Sequence, residues 1–348
     1  MKSKWVKAIA FLLIGAVLFS VFWQVFHFKY SKAMEKFKKL PKNTVDVLFI
    51  GSSHVFRNID PSVLYRESGI SGFDLGSPAQ LIWNSYYSLR EALKTQSPKV
   101  VFIECYKINA KKDYSSDAIT VKATGGMDYF SSNRIEAIVE TVQDKSPVLD
   151  LILSFPLFHS RYKEIGPIDY KPDYANPYYK DFLGYTWLKQ RVKTDLPKKV
   201  SKIKKKKPLT QKTMLYLDKI VKLSEEKGFS LVFLITPFGK ETAVKLQPYY
   251  NTLAAYAKEK NVEFINCNLL YDEIHLDEKR DISRANHLSI TGAEKATLYL
   301  NNYLKTHWTL EDHRGDPKYG TWERNVVFME NLRKTKDIAV TDIDDDEL

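Results

Sequence analysis

Short apolar runs alternate along the chain with longer segments whose apolar positions recur at helical spacing. A continuous apolar run of a few residues is typical of a strand that is buried on both faces of a parallel sheet. The pattern predicts strands at residues 45–50, 72–75, 99–105, 230–235 and 262–267. It predicts helices at residues 81–95, 210–227, 241–260 and 292–304. This alternation predicts an α/β domain with a mostly parallel five-stranded sheet and helices on both faces.

Single residues indicate where some of these helices begin and end. Pro61 predicts the start of a short helix with Asp60 as its cap. Gly228 predicts the end of the helix at 210–227. Thr291 is followed three residues later by Glu294, which is the spacing of a capping box, and it predicts the start of the last helix.

The α/β domain is predicted to span residues 44–308, with other segments before and after it. Residues 1–28 predict an N-terminal membrane anchor, and residues 29–43 a lysine-rich stalk. Residues 309–348 predict a peripheral extension that ends in an acidic tail at 342–347.

Residues 107–209 interrupt the alternation. They contain two apolar helical stretches, an aromatic segment and a lysine run, at 135–142, 148–158, 170–179 and 198–207. We interpret them as an insertion over the carboxyl edge of the sheet, where open α/β folds bind ligands. A solvated loop with a charged face is the alternative.

The N-terminal segment is long and apolar enough to cross a bilayer. No Asp, Glu, Lys or Arg occurs from Ala8 to Phe28, a stretch that spans about 30 Å as a helix. The run ends in aromatic residues, which suit the membrane interface, and not in the small residues of a signal-peptide cleavage site. We therefore expect an uncleaved anchor.

Lysines flank this span on both sides. Three precede it and six follow it before residue 43, so the positive-inside rule alone favours a cytoplasmic body. A long domain can nevertheless be translocated, and the function inferred below requires an outside location. We expect a single-pass protein of the cell membrane with a cytoplasmic N-terminus and an extracytoplasmic main domain.

Composition narrows the class of partner. Hydrophobic residues make up 44% of the chain and charged residues 27%, as in a folded protein. The net charge of +11 favours anionic partners such as lipid headgroups, teichoic-type polymers or nucleic acid. No nucleic-acid-binding signature is visible, so envelope polyanions are favoured and nucleic acid is not expected.

The two cysteines, Cys105 and Cys267, each close a predicted strand and are expected to be buried thiols.

A serine and a histidine stand at the two ends of the predicted domain. The first strand is followed by Gly51-Ser52-Ser53-His54, and Asn286-His287 precedes the last helix. A serine after the first strand can project its hydroxyl into the crevice of the sheet, and a neighbouring imidazole can remove its proton. Taken alone, the serine triplet is also common in turns, and a lone histidine is more often structural.

Five segments in this order resemble the SGNH/GDSL hydrolase superfamily: VLFIGSSHVFRNIDPSVLY, FDLGSPAQ, PKVVFIECY, LVFLITPF and NHLSITGAEKAT. They are most similar to its membrane-anchored branch, which includes the teichoic-acid D-alanyl transfer protein D and other partners of membrane-bound O-acyltransferases. The resemblance covers about residues 45–305. It implies an SGNH-like three-layer α/β/α fold. It also implies Ser53 as nucleophile, His287 as base, and the amides of Ser53 and Gly76 as oxyanion donors.

Two departures from the family pattern concern the rest of the site. The usual Gly-x-Asn-Asp after the third strand is not evident, which leaves Asn84 and Asn109 as candidates for a third oxyanion donor. The family places an aspartate three residues before the histidine, where this chain has Arg284. Asp281 is the nearest replacement. If Asp281 does not reach His287, the site is a Ser–His dyad or a degenerate site.

Two further residues have both a functional and a structural interpretation. His54 lines the pocket or serves packing, and Glu104 is interpreted as a hydrogen-bonded structural carboxylate ahead of a catalytic one. No metal-ligand cluster, P-loop or dinucleotide fingerprint is visible, so neither a cofactor nor a metal is expected.

The sequence thus predicts a membrane-anchored serine acyltransferase or esterase. It would act on O-acyl groups of a cell-envelope glycan or teichoic-type polymer through a Ser53 acyl-enzyme. One alternative is a weakly active or inactive accessory subunit of a membrane-bound O-acyltransferase. Another is a surface polyanion-binding protein that uses the lysine run at 198–207.

Overall fold

The five predicted strands form one parallel sheet in the computed structural model. The structure describes residues 2–26, 33–153, 162–163, 165–167, 170, 183–187, 200–277, 279–283 and 286–334. Strands β1 to β5 span Val47–Gly51, Gly72–Gly76, Val100–Glu104, Ser230–Ile235 and Glu263–Asn266. Within the described residues the sheet has the order β2-β1-β3-β4-β5, and all four neighbouring pairs are parallel.

Helices cover both faces of this sheet. In chain order, α1 to α12 span Lys2–Phe26, Ala33–Lys39, Ser53–Asn58, Pro61–Ser68, Ile82–Ala92, Asp117–Thr124, Ser132–Thr141, Val148–Leu153, Gln211–Lys227, Lys240–Glu259, Ile290–His307 and Gly320–Lys334. One core joins alternate strand residues to α2, α5, α9, α10 and Trp322 of α12. The other joins the remaining strand residues to α3, α4, α11 and the second half of α12. Both sides of every central strand are therefore buried, which is why the strands are apolar throughout. The predicted three-layer α/β/α fold is confirmed.

Most predicted helix ends agree with the structure. Asp60 caps α4 by accepting a hydrogen bond from Ser62 N, and Pro61 is its first residue. Gly228 ends α9 with a φ of 73°. The capping-box prediction at Thr291 is wrong, because the hydroxyl of Ser289 caps α11 by accepting from the N–H of Gly292.

The first described helix fits the predicted anchor. Within Lys4–Phe26 of α1, an 18-residue window has a mean hydropathy of 2.3, and none of that window is buried within the protein. Among the described residues it is the one helix long and apolar enough to cross a membrane.

The stalk predicted at 29–43 is in part a packed element. Residues 33–39 form α2, whose Met34 and Phe37 are buried in the core that covers one face of the sheet. The Phe37 ring meets the Phe73 ring edge-on at 5.1 Å between centroids. The lysines of α2 lie between and after these apolar residues. Because the segment is rich in lysine, its short amphipathic pattern is not evident in the sequence.

The insertion predicted at 107–209 contributes α6, α7 and α8, and α7 packs along α5. The helical stretches predicted at 135–142 and 148–158 appear as α7 and α8, although residues 154–158 lie outside the described residues. The aromatic segment at 170–179 also lies outside them, apart from Tyr170. The described part of the lysine run is held against α10, since Asn251 Nδ2 donates to the carbonyls of Ile203 and Lys205.

The C-terminal extension predicted as peripheral is wrong for residues 309–334. Trp322 of α12 is fully buried and donates from Nε1 to the carbonyl of Gly72 at 2.8 Å. His313 Nε2 lies 2.7 Å from Asp46 Oδ2, beside the start of β1. The acidic tail predicted at 342–347 lies outside the described residues.

Both cysteines are buried and unbonded to one another. Burial raises the pKa of the Cys267 thiol to about 12 and that of Cys105 well above its ordinary value. The prediction of two buried thiols is confirmed.

Candidate active site

Ser53 and His287 meet at the carboxyl edge of the sheet. Ser53 is the first residue of α3, directly after β1, and His287 lies in the loop before α11. The Ser53 Oγ and His287 Nε2 atoms are 2.8 Å apart. This distance is within the range over which an imidazole can take a proton from a serine hydroxyl.

The turn that carries Ser53 is held in place by the carboxylate of Glu104, at the end of β3. The side chain of Ser52 caps α3 by accepting from the N–H of His54, and its hydroxyl donates to Glu104 Oε2 at 2.8 Å. The same carboxylate accepts from the N–H of Ser52 at 3.2 Å and of Tyr106 at 2.5 Å. Burial raises the pKa of Glu104 to about 7, against the opposing effect of these hydrogen bonds. The carboxylate thus fixes the serine turn, as the structural interpretation predicted.

Glycines allow this close packing. A Cβ atom on Gly51 would lie 2.6 Å from Glu104 Cβ. A Cβ atom on Gly76 would lie 2.9 Å from the carbonyl oxygen of Ser52 and 3.1 Å from the ring of Phe56. Gly76 is thus placed against the turn that carries Ser53, as the resemblance implies for an oxyanion donor. Its role as a donor stays a prediction.

His54 forms a buried aromatic wall next to His287. Its ring stacks on Tyr106 at 3.8 Å, meets Phe238 edge-on at 5.4 Å and lies 4.8 Å from the His287 ring. Burial lowers its pKa well below the ordinary value, with the charges of His287 and Lys107 acting in the same direction. His54 is therefore a neutral imidazole beside the predicted base, which combines the pocket and the packing interpretations.

Asn58 joins the serine helix to the histidine loop. Its Oδ1 accepts from the N–H of Leu288 at 2.8 Å, and its Nδ2 donates to Thr236 Oγ1 at 2.9 Å. The same Nδ2 lies 3.3 Å from His54 Nδ1. Sequence reasoning missed Asn58, although its position five residues after Ser53 places it at the end of α3. It positions the residue next to His287.

Asp281 holds the histidine loop through contacts other than the imidazole ring. Its Oδ1 accepts from the Thr291 hydroxyl at 2.8 Å, and its Oδ2 accepts from Lys295 Nζ at 2.6 Å and from the N–H of Asp277 at 2.7 Å. Its carbonyl accepts from the N–H of Ser289 at 2.9 Å. The described contacts of Asp281 support a loop-holding role and not the ring-orienting role for which it was a candidate. Arg284 lies outside the described residues.

The two asparagine candidates lie in different elements. Asn84 is buried in α5, where its Oδ1 accepts from the N–H of Leu81 and from the hydroxyl of Ser115. These contacts tie α5 to the insertion. Asn109 ends a short 3₁₀ turn after β3 and is partly buried. Their part in oxyanion binding stays a prediction.

A cleft adjoins Gly76. It is lined by residues of α2, the end of β2 and α6, among them Met34, Gly76, Ser77, Lys122 and Gly125. Burial lowers the pKa of the Lys122 ammonium. The Ser77 hydroxyl is buried and has no hydrogen-bond partner among the described residues. The cleft therefore presents polar groups beside the predicted oxyanion donor.

Among the described residues, no three His, Cys, Asp or Glu side chains gather as ligands for a metal ion. The chemistry that this arrangement supports with its own groups is nucleophilic attack by Ser53 assisted by His287.

Comparisons with known proteins return structural matches and no sequence matches. No protein-family model and no curated protein sequence matches the chain. It is similar to a structure assigned to the lipolytic G-D-S-L family from Desulfitobacterium hafniense, with 14% identity, a TM-score of 0.37, and coverage of 75% of this chain and 99% of that chain. It is also similar to one assigned as an acylhydrolase from Bacteroides fragilis, with 13% identity, a TM-score of 0.39, and coverage of 80% and 96%.

Proposed function

We propose that this protein is a serine-dependent acyl-transfer enzyme. The observation that carries the proposal is the 2.8 Å contact between Ser53 Oγ and His287 Nε2 at the carboxyl edge of a parallel sheet. A serine hydroxyl is a weak nucleophile at neutral pH, and an imidazole at this distance activates it as a general base. An ester of a hydroxyl group is the substrate class that this pair attacks.

The reaction proceeds in two steps. Ser53 Oγ bonds to the ester carbonyl carbon while His287 takes the hydroxyl proton. The tetrahedral intermediate collapses, the alcohol leaves with that proton, and an acyl-enzyme remains. Water or a second hydroxyl group then attacks the acyl carbon with His287 again as base, which releases the acid or the transferred ester. The amides of Ser53 and Gly76 are the proposed donors to the oxyanion.

The catalytic unit is proposed to be a Ser–His pair in which the loop backbone positions the base. The Asp281 carboxylate is bound by Lys295, Thr291 and the Asp277 amide. Asn58 fixes the residue after His287 through its N–H. Such a contact positions the loop that carries the His287 ring, while the Asp281 carboxylate is bound by Lys295.

The substrate is proposed to be an O-acylated polymer of the cell envelope, either a glycan or a teichoic-type polymer. The apolar helix α1 and the net charge of +11 support a location at a membrane and an anionic partner. A membrane-bound O-acyltransferase is the proposed protein partner.

The main domain is proposed to face outward, and protease added to intact protoplasts should cleave it. Protection that ends only on lysis would place the body inside.

Labelling with a fluorophosphonate probe tests the proposal. The probe bonds to an activated serine, so the wild type should label, while Ser53→Ala should not and His287→Ala should label far more slowly. Ser132→Ala, which alters an exposed serine at the start of α7, is the matched control and should label like the wild type. Labelling of Ser53→Ala at the wild-type rate would exclude Ser53 as nucleophile.

A second candidate function is that of an accessory subunit with little activity of its own. The observation in its favour is that the Asp281 carboxylate is engaged by Lys295 and Thr291, while Arg284 stands where the resembling family has its aspartate. This alternative predicts no probe labelling of a folded wild type. It also predicts co-purification with a multi-span membrane protein.

A further inference from the structure

The loop between α6 and α7, residues 125–131, is held against the segment that follows the membrane anchor. A Cβ atom on Gly126, whose φ is +79°, would lie 3.0 Å from the backbone nitrogen of Glu35 in α2. Lys38, also in α2, forms an ion pair with Asp128 and donates to the carbonyl of Gly126 at 3.4 Å. The loop therefore lies where the chain leaves α1.

The anchor itself contacts the same loop. The ring of Trp23 meets the ring of Tyr129 edge-on at 6.4 Å between centroids. Trp23 lies three residues before the end of α1, which corresponds to about 4.5 Å along the helix axis. Tryptophan and tyrosine are enriched at the membrane–water interface. The contact therefore places Tyr129 at interface depth when α1 spans a bilayer.

Large apolar side chains surround this contact and are open to solvent in the protein alone. Phe130 is 73% exposed beside Tyr129. In α8, Leu149 is 64% exposed and Leu153 is 40% exposed, and their spacing of four residues puts them on one face of the helix. The three residues Phe130, Leu149 and Leu153 are called the apolar patch below.

The buried Arg134 holds the two parts of the patch together. Its guanidinium donates to the carbonyl of Tyr129 at 2.9 Å, to that of Ile152 at 2.9 Å and to that of Leu151 at 3.1 Å. Arg134 therefore links the loop that carries Phe130 to the end of α8. A surface built this way keeps its apolar side chains outward, because the loop and the helix end share one buried arginine.

We propose that the apolar patch rests in the interfacial layer of the same bilayer that α1 spans. The occupant is lipid because the patch continues directly from the anchor through Tyr129 and Trp23. Interfacial surfaces combine exposed large apolar groups with aromatic neighbours, as Phe130 and Tyr129 do here. The Asp128 carboxylate in the loop is paired with Lys38, so it does not oppose the contact as an isolated charge.

The proposed lipid contact of the apolar patch places the cleft beside Gly76 near the bilayer surface. The cleft beside Gly76 is lined by Met34 of α2 and by Gly125, which belong to the elements that adjoin the anchor. The bilayer surface is therefore next to the cleft, and an ester on a membrane-associated substrate would enter from that side. This consequence rests on the proposed acyl-transfer chemistry, whereas the lipid contact rests only on the proposed membrane location of α1.

Site-directed fluorescence tests the lipid contact. The full chain is labelled and reconstituted into lipid vesicles that contain no other protein. Both native cysteines are buried, so a thiol-reactive fluorophore reports on one introduced cysteine at a time. Phe130→Cys and Leu149→Cys probe the patch. Val327→Cys is the matched control, since Val327 is 59% exposed on α12 and its neighbour Phe328 packs in the core on the other face of the sheet from Met34 and Phe37. The quenchers are phospholipids with brominated acyl chains.

The expected result is that brominated lipid quenches the label at Phe130→Cys and Leu149→Cys at least two-fold more than at Val327→Cys. Equal quenching at the three positions would overturn the proposal, and so would quenching confined to Val327→Cys. The measurement is repeated in a Ser53→Ala background, because the lipid contact does not depend on the serine. The pattern should be the same there, so failure of the proposed chemistry and failure of the membrane contact are distinguishable.

Discussion

The buried carboxyl of Glu104 should make the stability of this protein depend on pH. Burial raises the pKa of this group from its ordinary value of 4.5 to about 7, although Ser52 and Tyr106 donate hydrogen bonds to its charged form. A carboxyl with a raised pKa in the folded state binds its proton more tightly when folded than when unfolded. Its contribution to stability is thus fully present below pH 4.5 and is lost as the pH rises through about 7.

The size of the effect follows from the two pKa values. Each pH unit over which only the folded state keeps the proton changes the free energy of unfolding by about 1.4 kcal/mol. Between 4.5 and about 7 the sum is about 3 kcal/mol. Glu104→Gln removes the titration but keeps the size of the side chain. The variant should therefore gain about 3 kcal/mol relative to the wild type between pH 4.5 and pH 8, whatever constant offset the amide introduces.

Urea unfolding of both proteins in the same detergent, followed by tryptophan fluorescence, measures this difference across the pH range. Other buried acids with a raised pKa, such as Asp60 and Asp74, contribute equally to both proteins and cancel. A stability difference that does not change between pH 4.5 and pH 8 would refute the reasoning. Ser52→Ala supplies a second check. The substitution removes a hydrogen bond to the charged form of Glu104 and so raises its pKa further. The pH range over which stability is lost should therefore lie higher in Ser52→Ala than in the wild type.

Three further substitutions test the site and the fold. Gly76→Ala forces a methyl group against the serine turn, so we expect a loss of about 1–3 kcal/mol in unfolding free energy together with slower probe labelling. Trp322→Ala should cost about 3–5 kcal/mol by urea unfolding, and a loss below about 1 kcal/mol would show that residues 309–334 are peripheral after all. Asp281→Asn should lower ester turnover less than about ten-fold, because its carboxylate is bound to Lys295, whereas loss of an aspartate that orients a catalytic histidine costs about four orders of magnitude.

The sheet and the two ends of the site could be predicted because their signals are local. A strand buried on both faces must be apolar throughout, so residues 230–235 were predicted with the bounds of β4. Ser53 and His287 stand next to secondary-structure boundaries that Gly, Pro and capping residues mark in the sequence. Parallel strands present their carboxyl ends at one edge, which is why the two residues were expected to meet.

The parts that sequence reasoning missed depend on contacts between distant segments. The side chain of Asn58 bonds to Leu288, which is 230 positions away, and no local pattern encodes that distance. Helix α2 was interpreted as a stalk because its lysines outweigh Met34 and Phe37, yet those two apolar residues suffice to dock it. The extension after residue 308 is also interpreted as peripheral from the sequence. Contacts of Trp322 with Gly72 and of His313 with Asp46 hold it against the sheet.

The Ser53 turn and the His287 loop are joined by neutral groups in the described structure. Asn58 binds the backbone beside His287 and also contacts the buried, neutral His54. These contacts position the loop that carries the imidazole, and in the proposed reaction they would act on its geometry and not through charge. An enzyme of this kind would benefit from a substrate that stays near the site. A substrate confined to the membrane surface beside the anchor meets this condition, because confinement raises its effective concentration at Ser53.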